Sequence, residues 1–363
     1  MDYGLIVRTI LFVIPRLEYG GAARQLMLLA SGLPREFFRV RVAVLDTDSP
    51  WSESLRAQGI EVEILGRRRP FDVLPFLALR RLVRSMQPDV VHVWGATALR
   101  AVVLSGSRAV KRLLVSAALP PVRVPSKLDH LLLRRAEGIL AFGATEAQRY
   151  RRLGVPDSRI TIVTPAVNVP AAVVEPAQLS DVPNSARVLL GLGPIERHKG
   201  FREAVWAFDI LRHHYNDVHL VLAGEGADRP RVEWFARQLG VIDHVHFLGA
   251  VADPAPLLQR AEVVWVPSLQ GGGVGAALEA MAAGRTVIAS RCPDLAEVIV
   301  DGETGFLVEP DDKAALARQT RLLLDDPDGR QRWCAAGRQR VAEHFSVARL
   351  VEACIHRYVE DKN

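Results

Sequence analysis

Apolar runs of four to seven residues recur along the whole chain, and amphipathic stretches separate most of them. In the first half, runs at 9–14, 39–45, 60–65, 90–94, 112–116, 138–142 and 159–163 predict strands. Near-continuous apolar strands separated by helical patterns are the signature of repeated βαβ units, which bury both faces of a parallel sheet. Residues 171–186, AAVVEPAQLSDVPNSA, interrupt the alternation with Pro176, Pro183, Asn184 and Ser185, and predict an interdomain linker. A second series follows at 187–192, 218–223, 244–248, 263–266, 286–289 and 306–308. Two helical segments then close the chain, with Pro327 near their junction. The expected fold is α/β, with two doubly wound Rossmann-like domains: 1–170, a linker at 171–186, and 187–344, plus a last helix within 345–363. Ligands of such sheets bind at the carboxyl ends of the strands, so a cleft between the two sheets is expected.

The densest punctuation lies at 263–284, VVWVPSLQGGGVGAALEAMAAG. An apolar run ends at Pro267 and Ser268. Gly271, Gly272, Gly273 and Gly275 follow, then a small-residue helical segment that Gly284 closes. A glycine loop opening a helix leaves backbone N–H groups and the positive end of the helix dipole facing an anion. Glu279 is the only charged side chain in the stretch, and its carboxylate suits a pair of ribose hydroxyls. Glycine turns of this kind also occur without a ligand, and a lone Glu early in a helix also serves as dipole compensation. Three other loops sit at predicted strand ends: Tyr19-Gly20-Gly21-Ala22-Ala23-Arg24, the Gly191 to Gly200 loop with Gly193, Arg197 and Lys199, and Gly224-Glu225-Gly226. Arg197 and Lys199 offer charge-assisted hydrogen bonds to a diphosphate. Four such loops together favour a nucleotide-diphosphate ligand.

The chain has 363 residues and a net charge of +5. Residues 1–180 carry 25 Lys/Arg against 15 Asp/Glu, a net of +10, so the second half is the acidic one. The basic half suits an anionic membrane surface or an anionic acceptor, or an Arg-rich ordinary surface. No apolar run reaches 18 residues, and the N-terminus lacks the order of a signal peptide. The three cysteines, Cys292, Cys334 and Cys354, form neither a zinc spacing nor a disulfide framework, which fits a reducing, cytoplasmic setting. Arg67-Arg68-Arg69-Pro70-Phe71 leads into a basic amphipathic segment at 74–84, read as a solvated helix face or a membrane contact. His92, on an apolar strand, is read first as a core histidine.

The stretches GLGPIERHKGF, LVLAGEG, HVHFLGAV, AEVVWVPS, LEAMAAGRTVIAS and AEVIVDGETGFLVEP, with YGGAARQL and DVVHVWG more loosely, resemble the family-4 retaining glycosyltransferases of the GT-B fold. The resemblance covers nearly the whole length and implies a nucleotide-sugar donor on the second domain. It places Lys199 on the diphosphate and Glu279 on the ribose. Gly21 approaches the phosphates from the first domain, and the last helix, about 347–360, crosses back to that domain. Gly20, Gly193, Gly224, Gly272, Gly273, Val274 and Gly275 complete the donor-binding set, with Lys199 and Arg197 in the catalytic roles. The family needs no metal and no further cofactor, because side chains and helix N-termini offset the leaving group's charge. The expected acceptor is a carbohydrate, a lipid-linked or a small-molecule hydroxyl, with no nucleic acid partner and with membrane contact, if any, at the inner face.

Five positions depart from the family pattern. Pro194 replaces an Arg, Gly271 a Glu that contacts the donor sugar, Pro165-Ala166 an Asn-Gly pair, and Ala23 a Glu. The run Ser116-Ala117-Ala118-Leu119 carries no His. The alternative reading is therefore a non-catalytic nucleotide-sugar-binding or partner-binding relative, and an epimerase on the same scaffold is a third.

Overall fold

The computed structural model describes residues 7–18, 20–68, 72–106, 109–117, 126–169 and 174–360. The chain forms two compact units, Met1–Ala166 with Val347–Asn363, and Val167–Ser346. All thirteen expected strands are present, with ends shifted by a residue or two.

The first unit holds β1 (Arg8–Ile14), β2 (Phe38–Val44), β3 (Glu61–Ile64), β4 (Val90–Trp94), β5 (Leu113–Ser116), β6 (Gly138–Phe142) and β7 (Ile160–Val163). They make one parallel sheet in the order β3-β2-β1-β4-β5-β6-β7. Side chains alternate between its faces, as the period of a strand requires. Ile10, Phe12 and Ile14 enter one core with Leu26, Leu29 and Tyr358. Leu11 and Val13 enter the other with Leu79, Val83 and Leu99.

The C-terminal helix Val347–Val359 belongs to this first unit. Gly32, at the end of helix Gly21–Gly32, lies so close to it that a Cβ would stand 2.7 Å from Val351 Cγ2. At its far end Tyr358 Oη lies 2.8 Å from His92 Nδ1, and His92 Nε2 lies 3.0 Å from Ser116 Oγ. Ser116 donates onward to the Leu140 carbonyl at 2.9 Å. The network therefore assigns the ring proton to Nε2, and Tyr358 donates to Nδ1. His92 is a satisfied core histidine, and burial pushes its pKa down to about 3. Arg112 donates to the Arg357 and Tyr358 carbonyls at 2.8 and 3.0 Å, and Arg8 to the Val359 carbonyl at 3.2 Å. These two guanidiniums cap carbonyls that a helix end leaves open and sit at the negative end of its dipole.

The second unit holds β8 (Arg187–Leu192), β9 (Val218–Ala223), β10 (Val245–Gly249), β11 (Val263–Val266), β12 (Thr286–Ser290) and β13 (Phe306–Val308). This parallel sheet is ordered β10-β9-β8-β11-β12-β13. Both sheets reverse direction at one place, between β1 and β4 and between β8 and β11. In open α/β sheets that reversal opens a crevice at the strands' carboxyl ends.

One expectation is corrected here. The stretch read as a linker, 171–186, lies outside the described residues at 171–173, and from 174 onward it packs on the second unit. Ala177 N–H donates to the Pro256 carbonyl at 2.9 Å. Val182 and Ala186 are buried in the core with Val188 and Leu257. Proline-rich composition marks irregular backbone, but two apolar side chains suffice to bind that backbone to a core. The chain passes between units at Ala166/Val167 and again at Ser346/Val347, not at 170 and 344. The two expected helical segments are Lys313–Asp325 and Pro327–His344, with Pro327 at their junction, and the expected last helix is Val347–Val359.

Candidate active site

At the reversal point of the second sheet two loops meet. The loop after β8 ends in a 3-10 turn, Arg197–Lys199, that opens helix Phe201–Arg212 through Gly200. The loop after β11 runs from Pro267 to Gly273 and opens helix Val274–Ala282. The two are joined backbone to backbone, for Leu269 N–H donates to the His198 carbonyl at 2.8 Å. Gly200, with φ +71°, lies against the Pro267 carbonyl with no room for a Cβ.

The β11 loop has an unusual backbone. Gly271, Gly272 and Gly273 have φ of +91°, +77° and +99°. Three consecutive left-handed residues exclude side chains on conformational grounds alone. Space excludes them as well: a Cβ on Gly272 would collide with Lys199 Nζ, and one on Gly273 with Val266 Cγ1. Ser268 Oγ holds the loop by donating to the Gly272 carbonyl at 2.8 Å. Gly275 has nothing within 4 Å of its Cβ position, so the helix start is open there, next to part-exposed Val274.

Lys199 is half-buried, and its ammonium reaches the backbone of Gly272. Among the described residues it has no salt bridge and no side-chain hydrogen bond. Burial lowers its pKa from the ordinary lysine value, against the opposing pull of Asp294, Glu196 and Cys292. Arg197, two residues earlier on the turn, is exposed. Glu279 is part-exposed on helix Val274–Ala282.

Gly193 and Gly224 meet each other. Gly193 N–H donates to the Ala223 carbonyl at 3.0 Å, and Gly224, at φ +156°, lies against the Gly193 carbonyl. Ile195, fully buried, anchors the loop, and its N–H reaches the Glu225 carbonyl at 2.9 Å. Packing therefore accounts for glycine at 224. In the first unit, Gly20 and Gly21 open helix Gly21–Gly32 at the end of the β1 loop, while Tyr19 lies outside the described residues. Gly20 is extended, and nothing lies within 4 Å of a Cβ on Gly21. Neither backbone strain nor packing demands glycine there, so these positions keep surface open.

The sequence reading missed Asp294. It follows β12, and its Oδ2 accepts the Gly272 N–H at 2.5 Å. A Cβ at Gly271 would stand 3.1 and 3.2 Å from its two oxygens. A turn of Pro and Asp at a strand end was the available signal, but only the fold brings it to the glycine loop.

Two family models match end to end: Glycosyltransferase Family 4 over residues 19–170, and Glycosyl transferases group 1 over residues 178–340. The chain belongs to the family-4, group 1 glycosyltransferases. Among curated proteins, it is 34% identical over 183 residues to a glycogen synthase of Mycobacterium tuberculosis, covering 48% of this chain and 42% of that protein. It is 26% identical over 338 residues to the lipopolysaccharide core biosynthesis glycosyltransferase LpsD of Rhizobium meliloti, covering 92% and 93%. The chain thus spans less than half the length of the first of these relatives. Solved structures share the two-domain GT-B fold. A glycosyltransferase from Rickettsia africae matches with a TM-score of 0.80 at 18% identity over 97% of this chain and 98% of that one. Anabaena HepE in complex with UDP and glucose matches with a TM-score of 0.81 at 18% identity over 96% and 98%.

Proposed function

We propose that the protein is a retaining glycosyltransferase that moves a sugar from a nucleotide diphosphate-sugar to an acceptor hydroxyl. The observation that carries this reading is the Lys199 ammonium, half-buried and without an ion pair among the described residues, over the glycine loop at the sheet's reversal point. A desolvated cation beside a helix start is matched to a diphosphate. Lys199 holds the distal phosphate, and Arg197 approaches from the exposed side. Backbone N–H groups of the Gly193 loop and of Gly273, Val274 and Gly275 share the charge, while the Gly272 N–H is held by Asp294. Glu279 accepts the ribose hydroxyls. Gly224 keeps its loop against the Gly193 loop, and Gly20 and Gly21 open the first helix of the first unit.

In the reaction the bond from the sugar's anomeric carbon to the phosphate oxygen breaks, and a bond to the acceptor oxygen forms on the same face. The acceptor proton passes to the departing phosphate oxygen. Charge on the diphosphate grows as the bond breaks, so Lys199 and the helix start stabilise the transition state more than the bound donor. No metal or further cofactor enters this scheme.

The relatives' names, a glycogen synthase, a phosphatidyl-myo-inositol mannosyltransferase and a lipopolysaccharide core enzyme, support hexosyl transfer in glycan, polysaccharide or glycolipid synthesis. The acceptor is then a carbohydrate, a lipid-linked or a small-molecule hydroxyl. Among the described residues no helix is long and apolar enough to cross a membrane. We place the protein in the cytoplasm, touching the inner membrane face through helix Leu74–Met86, where Val73, Leu74 and Leu77 are exposed beside Arg81 and Arg84. Arg69, Pro70 and Phe71 lie outside the described residues.

A non-catalytic relative is the second reading. The observation favouring it is that β5 ends at Ser116 and Ala117 follows, without an imidazole; Ala118 and Leu119 lie outside the described residues. Calorimetry with UDP, GDP and ADP, in buffer with EDTA, tests the shared site, and release of nucleoside diphosphate from nucleotide sugars separates the two readings. Binding and turnover in EDTA are expected. Absence of binding by all three nucleotides at millimolar concentration would refute the site, and turnover that required added Mn²⁺ or Mg²⁺ would refute the metal-free scheme.

A further inference from the structure

The three glycines at 271–273 carry no side chain, so the chemistry on that side of the loop comes from whatever lies across it. That group is the Asp294 carboxylate. It accepts Gly272 N–H at 2.5 Å and the Leu295 N–H at 3.1 Å, and it fills the space into which a side chain at 271 would project. It is part-exposed, and among the described residues no Lys, Arg or His forms a salt bridge with it. An ionised carboxylate has about four acceptor positions, so roughly two stay open here.

Asp294 acts on Lys199 electrostatically, opposing the fall in its pKa, without closing a salt bridge among the described residues. A carboxylate with open acceptor positions next to a diphosphate pocket repels the phosphates themselves. It is compatible with the ligand only if it faces a neutral part that donates hydrogen bonds. In a nucleotide sugar that part is the sugar, whose hydroxyls lie just beyond the distal phosphate that Lys199 holds. Resting on the glycosyltransferase reading above, we propose that Asp294 is the donor-sugar recognition residue, accepting hydroxyls of a neutral sugar and rejecting acidic ones. The rejection has a plain electrostatic source: the carboxylate of a uronic acid would be brought against Asp294 in a partly desolvated site. The sugar-binding carboxylate absent at Gly271 is thus supplied by a different strand end.

The test uses the full chain as wild type, Asp294→Asn, Asp294→Ala and Gly271→Glu. Asn can still accept the Gly272 N–H through its side-chain carbonyl, so it keeps the loop while removing the charge; melting temperatures check the fold of each variant. The readouts are calorimetry with UDP, GDP and ADP, and nucleoside diphosphate release from glucose, galactose, mannose and glucuronic acid donors. We expect nucleotide affinity in Asp294→Asn to be unchanged or tighter. Donor kcat/KM should fall about 10- to 100-fold for the preferred neutral sugar. The ratio of glucuronic acid to neutral donor use should rise, which a merely structural role would not cause. Gly271→Glu should lower donor use, because it sets a second carboxylate against the first at a left-handed residue. Nucleotide binding with unchanged donor use and unchanged sugar preference in Asp294→Asn, or higher turnover in Gly271→Glu, would overturn the assignment of Asp294 alone. Failure of the wild type to bind any nucleotide would overturn the underlying site and this assignment together.

Discussion

The two units share a strand order and a reversal point, yet the cations after their equivalent strands, Arg16 after β1 and Lys199 after β8, are spent in opposite ways. In the first, Arg16 and Arg67, after β1 and β3, close on the buried Asp46 after β2 at 2.9 and 2.6 Å. Arg100, on helix Ala96–Leu104, likewise closes on Asp129, on helix Lys127–Leu133, at 2.6 Å. In the second, Lys199 forms no salt bridge among the described residues. The basic half of the sequence, which suggested an anionic partner, thus uses these cations to hold itself together. The acidic half presents the open one. Net charge gives the field around a domain, whereas pairing and desolvation locate its site.

Removing one cation from each unit tests this contrast most directly. Lys199→Ala should weaken nucleoside diphosphate binding and any turnover by about 10- to 100-fold, the value of one charge-assisted contact. Its melting temperature should not fall, because no partner is left unpaired. Arg67→Ala should do the reverse: nucleotide affinity unchanged, stability lower by about 1–3 kcal/mol because a buried carboxylate loses one of its two guanidiniums. Calorimetry and thermal melts on both variants check the pair, and a similar loss of affinity in both would erase the contrast.

A second, smaller effect concerns pH. Glu146, part-buried at the carboxyl end of β6, accepts the Phe142 N–H at 2.7 Å, but desolvation pushes its pKa up from 4.5 to about 7. Between those two values the folded chain holds a proton that the unfolded chain has lost. Stability from this group is present below pH 4.5 and is lost as pH rises towards 7. The loss is on the order of 1–3 kcal/mol at 1.36 kcal/mol per pH unit. His92 acts in the opposite sense: folded His92 stays neutral, so stability is lost as pH falls from 6.5 towards 3. Melting curves across pH 5 to 8 should show Glu146→Gln flattening the decline between pH 5 and 7, with nucleotide affinity untouched. An identical pH profile in wild type and variant would remove Glu146 from the account.

The smallest effect belongs to the last helix. Tyr358→Phe removes one hydrogen bond to His92 and should cost about 1 kcal/mol. The second unit should not register it, so nucleotide affinity is the control and the melting temperature the readout.

The strands were legible because buried parallel strands are short, apolar and bounded by turns, a purely local signal. The strand-end glycines were legible for the same reason. The departure at Gly271 was legible as a residue but not in its meaning: no spacing rule links 271 to Asp294, which a strand and a helix separate from it. The run at 171–186 misled because local composition reports irregular backbone, and burial of Val182 and Ala186 depends on partners far along the chain. Arg197 and Lys199 look equivalent in the sequence. The 3-10 turn exposes one and lays the other over the glycine loop.

Because the helix Val347–Val359 completes the first unit's core, that unit is interrupted by the 180 residues of Val167–Ser346. During synthesis, at roughly 5–20 residues per second, the first unit must wait for the second to be translated before Tyr358 reaches His92. The unit encoded later, whose residues are contiguous, can reach its native core first. Its folding draws the two flanking segments of the chain closer than a free loop would, which lowers the entropy cost of joining them. The order in which the units mature is then the reverse of the order in which they begin to be made.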